Sequence, residues 1–143
     1  MANKTPNAMK KVSKLMRDLD FCMLTTYTKR GGLHARPMSN NGEVEFDGDV
    51  WFFSAADSRK VREIEQTSTV QLSYADLGNW RFVSMNGKAR IVRDPKKKQE
   101  LWLEELRQWF DEGPESDGIV LIKVTPTVVS FWNKKDQGES RLK

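Results

Sequence analysis

The chain has 143 residues, of which 24 are lysine or arginine and 20 are aspartate or glutamate, giving a formal net charge of +4. This length suits a single domain over 1–143 that buries a core without added cross-links. No run of about 18 apolar residues occurs and the first residues lack the apolar segment of a secretory signal, so we expect a cytoplasmic protein without membrane spans. One cysteine and one histidine do not supply the usual ligands of a structural zinc site, and we expect no metal.

The first half of the chain predicts a helix followed by short strands. Apolar residues recur at helical spacing over 6–19, after Thr5-Pro6, a pair typical of a helix start. Gly31-Gly32 separates two apolar runs and predicts a hairpin turn. Val44 alternates with acidic residues, and a second helix is predicted to begin near Ser58. The strands predicted in this half are 21–28, 33–39 and 50–53.

The next segment predicts two strands and a third helix. Apolar and polar residues alternate over 70–74, and a long strand is expected from Trp80 to Val92. Within it, the small residues Gly87 and Ala89 indicate either close approach of another backbone or a bend of the strand. Asp94-Pro95 opens a helix that Gly113-Pro114 ends. The buried stripe of this helix is predicted to contain Trp102, Leu106, Trp109 and Phe110.

The last part of the chain contains an apolar block over 119–132 and a polar tail. Pro126 interrupts the block, which predicts a bulged or kinked strand or two short ones. We expect the tail, 133–143, to be poorly ordered. Six or seven antiparallel strands with about three helices indicate a small, mainly β barrel with helices packed outside, since closure of a sheet removes its exposed edges.

The segment from Trp51 to Val61 carries the strongest functional signal, because an aromatic strand leads directly into a polar, basic helix start. The Ser58 hydroxyl, the free N–H groups of a first helical turn and the cations of Arg59 and Lys60 would converge there. These groups suit a phosphate. A plain N-cap at Ser58 is the alternative that these residues alone leave open.

Four short motifs, in this order and spacing, carry a resemblance to a known family. They are Arg36-Pro37-Met38-Ser39, Phe53-Ser54 followed by Ser58-Arg59-Lys60, Gly87-Lys88-Ala89-Arg90, and Phe131-Trp132. The chain resembles the FMN-binding split barrels that include pyridoxamine 5'-phosphate oxidase, and within them the general stress protein 26-like branch. The resemblance implies a split β-barrel of Greek-key type and a homodimer with two flavin sites at the interface.

The resemblance also implies which residues bind the cofactor. Ser58, Arg59 and Lys60 would bind the FMN phosphate, and Arg36 would add a charge-assisted contact. The remaining implied contacts are those of Phe53 and Ser54 lining the flavin, of Pro37 and Met38 placing strand backbone against the ring edge, and of Trp132 reaching the site from the partner subunit. FAD, a deazaflavin or haem are the alternative ligands on this fold.

Two departures from the oxidase pattern bear on activity. Phe82 stands where the oxidase has a glutamine that contacts the flavin, and the Arg-x-His element that binds pyridoxal substrates has no counterpart beyond Trp132. We therefore do not expect oxidation of pyridoxamine phosphate. His34 is interpreted as a surface strand residue, so no catalytic residue is assigned.

Three functional hypotheses follow from the sequence. The first is a flavin-dependent oxidoreductase that passes electrons between FMN and a small molecule or a reduced pyridine nucleotide. The second is a flavin-binding or redox-sensing stress protein without turnover. The third is a basic barrel that binds nucleic acid, which the acidic residues after the Lys96-Lys97-Lys98 cluster make less favourable.

Overall fold

The protein is built on one antiparallel sheet of seven strands. A computed structural model gives the structure of residues 6–40 and 46–142. The strands are β1 (Phe21–Tyr27), β2 (Leu33–Ser39), β3 (Val50–Ala55), β4 (Thr69–Asp76), β5 (Arg81–Val92), β6 (Ile119–Trp132) and β7 (Gln137–Arg141). Their order in the sheet is β2-β1-β4-β5-β6-β3. The C-terminal part of β6, Val128–Trp132, also pairs with β7.

The sheet wraps around a core but does not close. Its two ends are β2, which pairs with β1, and β3, which pairs with β6. The core that the sheet encloses includes fully buried Leu24, Leu72 and Met85, together with Cys22, which is only 4% exposed. The predicted mainly β split barrel with flanking helices is therefore confirmed, and Cys22 is the small core side chain that its apolar surroundings indicate.

Three helices flank the sheet in the described part of the chain. They are α1 (Pro6–Met16), α2 (Arg59–Gln66) and α3 (Pro95–Leu101), and a 3-10 helix (Glu104–Gln108) follows α3. Val12 and Met16 bury one side of α1 against the core. The Arg81 guanidinium donates to the Arg17 carbonyl at 3.0 Å, which satisfies an acceptor at the C-terminal end of α1. None of the described helices is long and apolar enough to cross a membrane.

Glycine is required at position 87 because the backbone of the paired strand β6 lies very close to it. A Cβ atom at this position would lie 2.5 Å from the Thr125 carbonyl oxygen and 2.9 Å from Pro126 Cα. The β5–β6 register shifts between Asn86 and Gly87, so the irregularity that Pro126 predicts is a local one in a single continuous strand. The close approach predicted at Gly87 is confirmed.

Four details of the sequence interpretation are wrong. First, α1 ends at Met16 rather than near residue 19, because Asp18 adopts a φ of 68° that interrupts the helix. Second, the third helix ends at Leu101, since Trp102 and Leu103 are extended. The Trp102 ring then packs edge-on against Phe53 with centroids 5.4 Å apart.

Third, Trp109 is 65% exposed and is not a core residue. The polar tail also differs from the prediction, because Gln137–Arg141 form β7 against Val128–Trp132. Backbone pairing to β6 orders this segment without apolar side chains of its own. Thr5 and Val44, which carried two of the local predictions, lie outside the described residues.

Candidate functional site

The two edge strands of the sheet share a large cavity. Its volume is about 1200 Å³, and it lies where Pro37 and Met38 of β2 and Phe53 of β3 contribute to the same lining. The C-terminal end of α1 and the segment from Leu101 to Phe110 supply further walls. Three of the residues predicted to contact a flavin ring are therefore brought together at the split of the barrel.

Unpaired backbone groups face this split from both edge strands. On β3, the Ala56 amide donates to the Gly118 carbonyl, so the alternation of an antiparallel ladder turns the backbone groups of Phe53 away from β6. On β2, the Asn40 amide donates to Asp20, and the same alternation turns the Pro37 carbonyl away from β1. Each edge thus presents backbone hydrogen-bonding groups to the cavity side.

The start of α2 is arranged to leave its first amides free. Ser58 is the N-cap, but its hydroxyl lies 3.1 Å from the Ser54 hydroxyl and makes no capping hydrogen bond to the helix. The Arg62 amide makes the first bond of the helix, to the Ser58 carbonyl. In the described structure no hydrogen bond forms at the amides of Arg59, Lys60 or Val61. The Ser58 hydroxyl is therefore not the capping group that a plain N-cap would use.

A buried carboxylate, Glu63, ties α2 to the opposite edge of the sheet. Its oxygens accept hydrogen bonds from the Thr26 hydroxyl at 2.7 Å, from Arg59 Nε at 2.7 Å and from Arg36 Nη2 at 3.1 Å. Burial raises the pKa of Glu63, but the hydrogen bonds from Thr26 and Arg59 and the two positive charges outweigh burial and lower the pKa to about 2. Glu63 therefore stays ionised and clamps β2 against α2.

Arg36 is held on the inner side of β2 by four contacts. It donates to the Leu24 carbonyl at 3.1 Å and to the Thr26 hydroxyl at 2.8 Å, it pairs with Glu63, and its Nη2 lies 2.7 Å from His34 Nδ1. An arginine has five N–H donors, so these contacts leave the Nε–H for a ligand. Burial lowers the pKa of Arg36, and Glu63 opposes that effect.

The cluster of charged side chains around Glu63 has more positive than negative charge. Arg36, Arg59 and Lys60 surround one carboxylate, Glu63, and Lys60 has no ion-pair or hydrogen-bond partner within the described residues. Burial lowers the pKa of Lys60, and the positive charge of Arg36 lowers it further. A half-buried ammonium repelled by a neighbouring guanidinium is stabilised by an anion, so the cluster and the free amides of α2 form an anion-binding arrangement.

The outer face of the sheet is a second candidate surface. It carries no charged side chain over β2, β1, β4, the Phe82–Asn86 part of β5 and the Val128–Trp132 part of β6, whereas Lys88 and Arg90 lie on the same face of β5 beyond Asn86. Cα partners directly opposite each other place Met23 beside Pro37, Ser73 beside Ser84, and Phe82 beside Trp132 on this face. Phe21, Met23, Tyr27, Leu33 and Trp132 on it are each more than 40% exposed. Trp132, predicted to reach a neighbouring subunit, lies here and does not line the cavity of its own chain.

The other predicted site residues have clear positions. Ser54 is 1% exposed and its hydroxyl donates to the Ala55 carbonyl, so it supports Ser58 from within the fold and is not part of the cavity lining. Met38 is half-buried and also packs against the core. His34, set aside as a surface residue, is exposed but belongs to the Arg36 network.

Glu63 and Thr26 were missed by sequence reasoning. Glu63 follows Arg59 by four residues, the spacing of a helical ion pair, and that spacing is the signal that could have identified it. No local signal relates Thr26 to the site, because the sheet brings it there.

Comparisons with known proteins agree with this fold. The family model described as pyridoxamine 5'-phosphate oxidase like matches residues 7–142. General stress protein 26 of Bacillus subtilis is 27% identical over 109 residues, which cover 73% of this chain and 74% of that protein.

Solved structures with the same fold include general stress protein 26 from Bacillus anthracis, with a TM-score of 0.80, 21% identity, and coverage of 95% of this chain and 99% of that one. A general stress FMN/FAD binding protein from Xanthomonas citri has a TM-score of 0.75 and 24% identity, with 92% of each chain covered. The match to the family model spans nearly the whole chain, so this protein belongs to the pyridoxamine 5'-phosphate oxidase-like family.

Proposed function

We propose that this protein is an FMN-binding flavoprotein that acts as a flavin-dependent oxidoreductase. The observation that carries the proposal is the excess of positive charge at the free N-terminus of α2. The chain connects this charge to the cavity, since Arg36 precedes Pro37 and Ser54 follows Phe53, and both Pro37 and Phe53 line the cavity. Related proteins support a flavin ligand, since the Xanthomonas citri structure is of an FMN/FAD binding protein and another structural neighbour, with a TM-score of 0.62, is an F420 reductase.

In this proposal the phosphate binds at the start of α2. Arg59 and Lys60 supply the cations, and the Ser58 hydroxyl and the free amides of the first turn supply hydrogen bonds. Arg36 contributes its positive charge and its remaining Nε–H, while its other donors keep β2 in place. Ser54 positions the Ser58 hydroxyl from beneath.

The ring of the flavin occupies the cavity between the edge strands. Phe53 and Met38 offer apolar surface, and the free backbone groups of Phe53 and Pro37 offer hydrogen bonds to the polar edge of a ring. A bound flavin supplies hydride or electron transfer there, and the chain binds it, orients it and excludes water. FMN is preferred here because the anion-binding groups gather at a single helix start.

The uncharged outer face carries the homodimer part of the proposal. A patch without charged side chains that extends over parts of five strands, in a chain of which 31% is charged, is typical of a surface that another subunit covers. Pro37 lies on this face and also lines the cavity, so a partner on the face would stand beside the flavin. Trp132 of the partner subunit then approaches the same site.

The phosphate assignment is tested by the double variant Arg59→Ala/Lys60→Ala. We expect FMN to bind at least about 100-fold more weakly, because each of the two charge-assisted hydrogen bonds contributes about 1.5–3 kcal/mol. Titration of the protein with FMN, followed by flavin fluorescence, measures the affinity.

The matched control is Lys10→Ala/Lys14→Ala, which removes the same charge from exposed positions on α1. Equal affinities of the two double variants would contradict the phosphate assignment.

Turnover is tested separately on protein loaded with FMN. Bleaching of the flavin absorbance by a reduced pyridine nucleotide supports the oxidoreductase. Stable FMN binding without reduction by any small donor favours the flavin-binding stress protein instead. Salt-sensitive binding to DNA or RNA by a protein that ignores FMN would favour the nucleic-acid module.

A further inference from the structure

We propose that the cavity between the edge strands binds a planar organic cation beside the flavin, with Trp109 and Glu105 as the residues that select it. This inference rests on the proposed function and deepens it. The cavity of about 1200 Å³ is larger than the roughly 300–1,000 Å³ that a single ligand usually occupies, so a flavin ring leaves room for a second molecule.

The charge of the lining has the opposite sign to that of the whole protein. One cation, Arg17, lies among the described lining residues, against four carboxylates. The chain as a whole carries +4, so this local balance of −3 is not an average property of its surface. A cation is favoured over an anion of the same shape in the part of the cavity that these carboxylates line. The four carboxylates are those of Asp18, Asp20, Asp49 and Glu105.

Some of these charges are already compensated, and some are not. Asp49 accepts a hydrogen bond from the Thr125 hydroxyl at 2.7 Å and lies 3.8 Å from Lys123 Nζ, and Asp20 accepts from the Ser39 hydroxyl. Glu105 has no hydrogen-bond or ion-pair partner in the described structure. Its carboxylate is therefore available to a ligand.

Two lysines near the cavity do not reverse the balance. Lys97 and Lys123 lie over the ring of Trp51, with Nζ at 4.8 Å and 5.5 Å from its centroid. Lys97 pairs with Glu100 at 2.9 Å, and Lys123 is the partner of Asp49. Both positive charges are thus compensated by carboxylates of the same surface.

Trp109 supplies the aromatic contact. It lines the cavity, directly follows the 3-10 helix that carries Glu105, and remains 65% exposed. Its ring makes no aromatic or cation contact in the described structure, unlike those of Trp51 and Trp102. An exposed indole and a free carboxylate that line the same cavity can bind a flat cation, the indole through its ring face and the carboxylate through its charge.

The test uses protein loaded with FMN and three probes of one ring size: N-methylacridinium as the cation, acridine at pH 8 as the neutral form, and acridine-9-carboxylate as the anion. Calorimetric titration measures each dissociation constant in the wild-type protein, in Glu105→Gln and in Trp109→Ala. The control variant is Glu65→Gln, which removes an exposed carboxylate of α2 outside the cavity lining.

We expect the cation to bind about tenfold more tightly than the anion. Glu105→Gln should reduce that preference about threefold, and Trp109→Ala should weaken the binding of all three probes about fivefold. Both variants should keep the wild-type affinity for FMN. Glu65→Gln should change neither quantity. A chain that takes up no FMN fails the proposed function at the loading step, whereas FMN uptake with equal affinities for cation and anion overturns this inference alone.

Discussion

At the scale of single residues, Glu63 decides whether the proposed anion site is assembled. It holds Arg36 and Arg59 in place and is itself only 7% exposed, so its removal leaves a largely buried guanidinium without a counter-charge. We expect Glu63→Gln to lower the free energy of unfolding by about 3 kcal/mol at pH 7, as for other buried ion pairs that lose one partner. Urea unfolding followed by tryptophan fluorescence measures the change.

The pH dependence of this variant distinguishes the charge of Glu63 from its shape. The pKa of Glu63 is about 2 in the folded protein, against an ordinary value of 4.5, so its ionised form stabilises the fold above pH 4.5. That contribution is lost as the pH falls from 4.5 towards 2. The difference between wild-type protein and Glu63→Gln should therefore shrink between pH 5 and pH 3. A difference that stays constant over that range, or an equal loss in Glu65→Gln, would contradict the role of the charge.

The site residues differ in how well the sequence could predict them. Ser58, Arg59 and Lys60 are consecutive at a helix start, so local spacing is enough to predict that they act together. Glu63 and Thr26 depend on the packing of α2 against β1, a contact between distant segments that periodicity does not reveal. The position of Glu63 between Arg36 and Arg59 could therefore be identified only from the structure.

At the scale of secondary-structure elements, the close approach of the paired strands β5 and β6 leaves no room for a side chain at position 87. The φ of Gly87 lies outside the left-handed region, so its need for glycine comes from the neighbouring Thr125 carbonyl. We expect Gly87→Ala to destabilise the protein by about 1–3 kcal/mol, because the added methyl group forces the two backbones apart.

Thermal unfolding of Gly87→Ala beside Gly78→Ala measures this effect. A Cβ atom at Gly78 would have its nearest neighbour at 3.7 Å, an ordinary contact, so this control should stay close to the wild-type stability. Equal stability of the two variants would show that the strands separate without cost.

Strands were easier to predict than the ends of helices and the tail. The hairpin of β1 and β2 was placed correctly to within a residue, because alternation and Gly31-Gly32 are local signals. The end of α3 was not, since the extended backbone at Trp102 serves a contact with Phe53 from a distant strand. β7 was missed for a similar reason: its polar side chains carry no pattern, and its order comes from hydrogen bonds to β6.

At the scale of the whole molecule, the uncharged part of the outer face and the proposed flavin site together predict a dimer. If a second subunit covers the face, the protein should have twice the 16.5 kDa mass of one chain in solution. Met23 lies on this face, 41% exposed and opposite Pro37, so Met23→Lys introduces a charge that a covered sheet must desolvate. We expect this variant to be monomeric and stably folded, with light scattering after size exclusion as the measurement.

Flavin affinity should follow the loss of the dimer, because Trp132 of the partner subunit and the covered edge at Pro37 both belong to the proposed site. Met23→Lys is then expected to bind FMN at least about tenfold more weakly, although it leaves Arg59 and Lys60 unchanged. Gln99→Lys, which adds the same charge at an exposed position of α3, should remain dimeric and bind FMN normally. A monomeric Met23→Lys with full FMN affinity would place the whole flavin site within one chain, and a wild-type monomer would leave the uncharged face to a different partner.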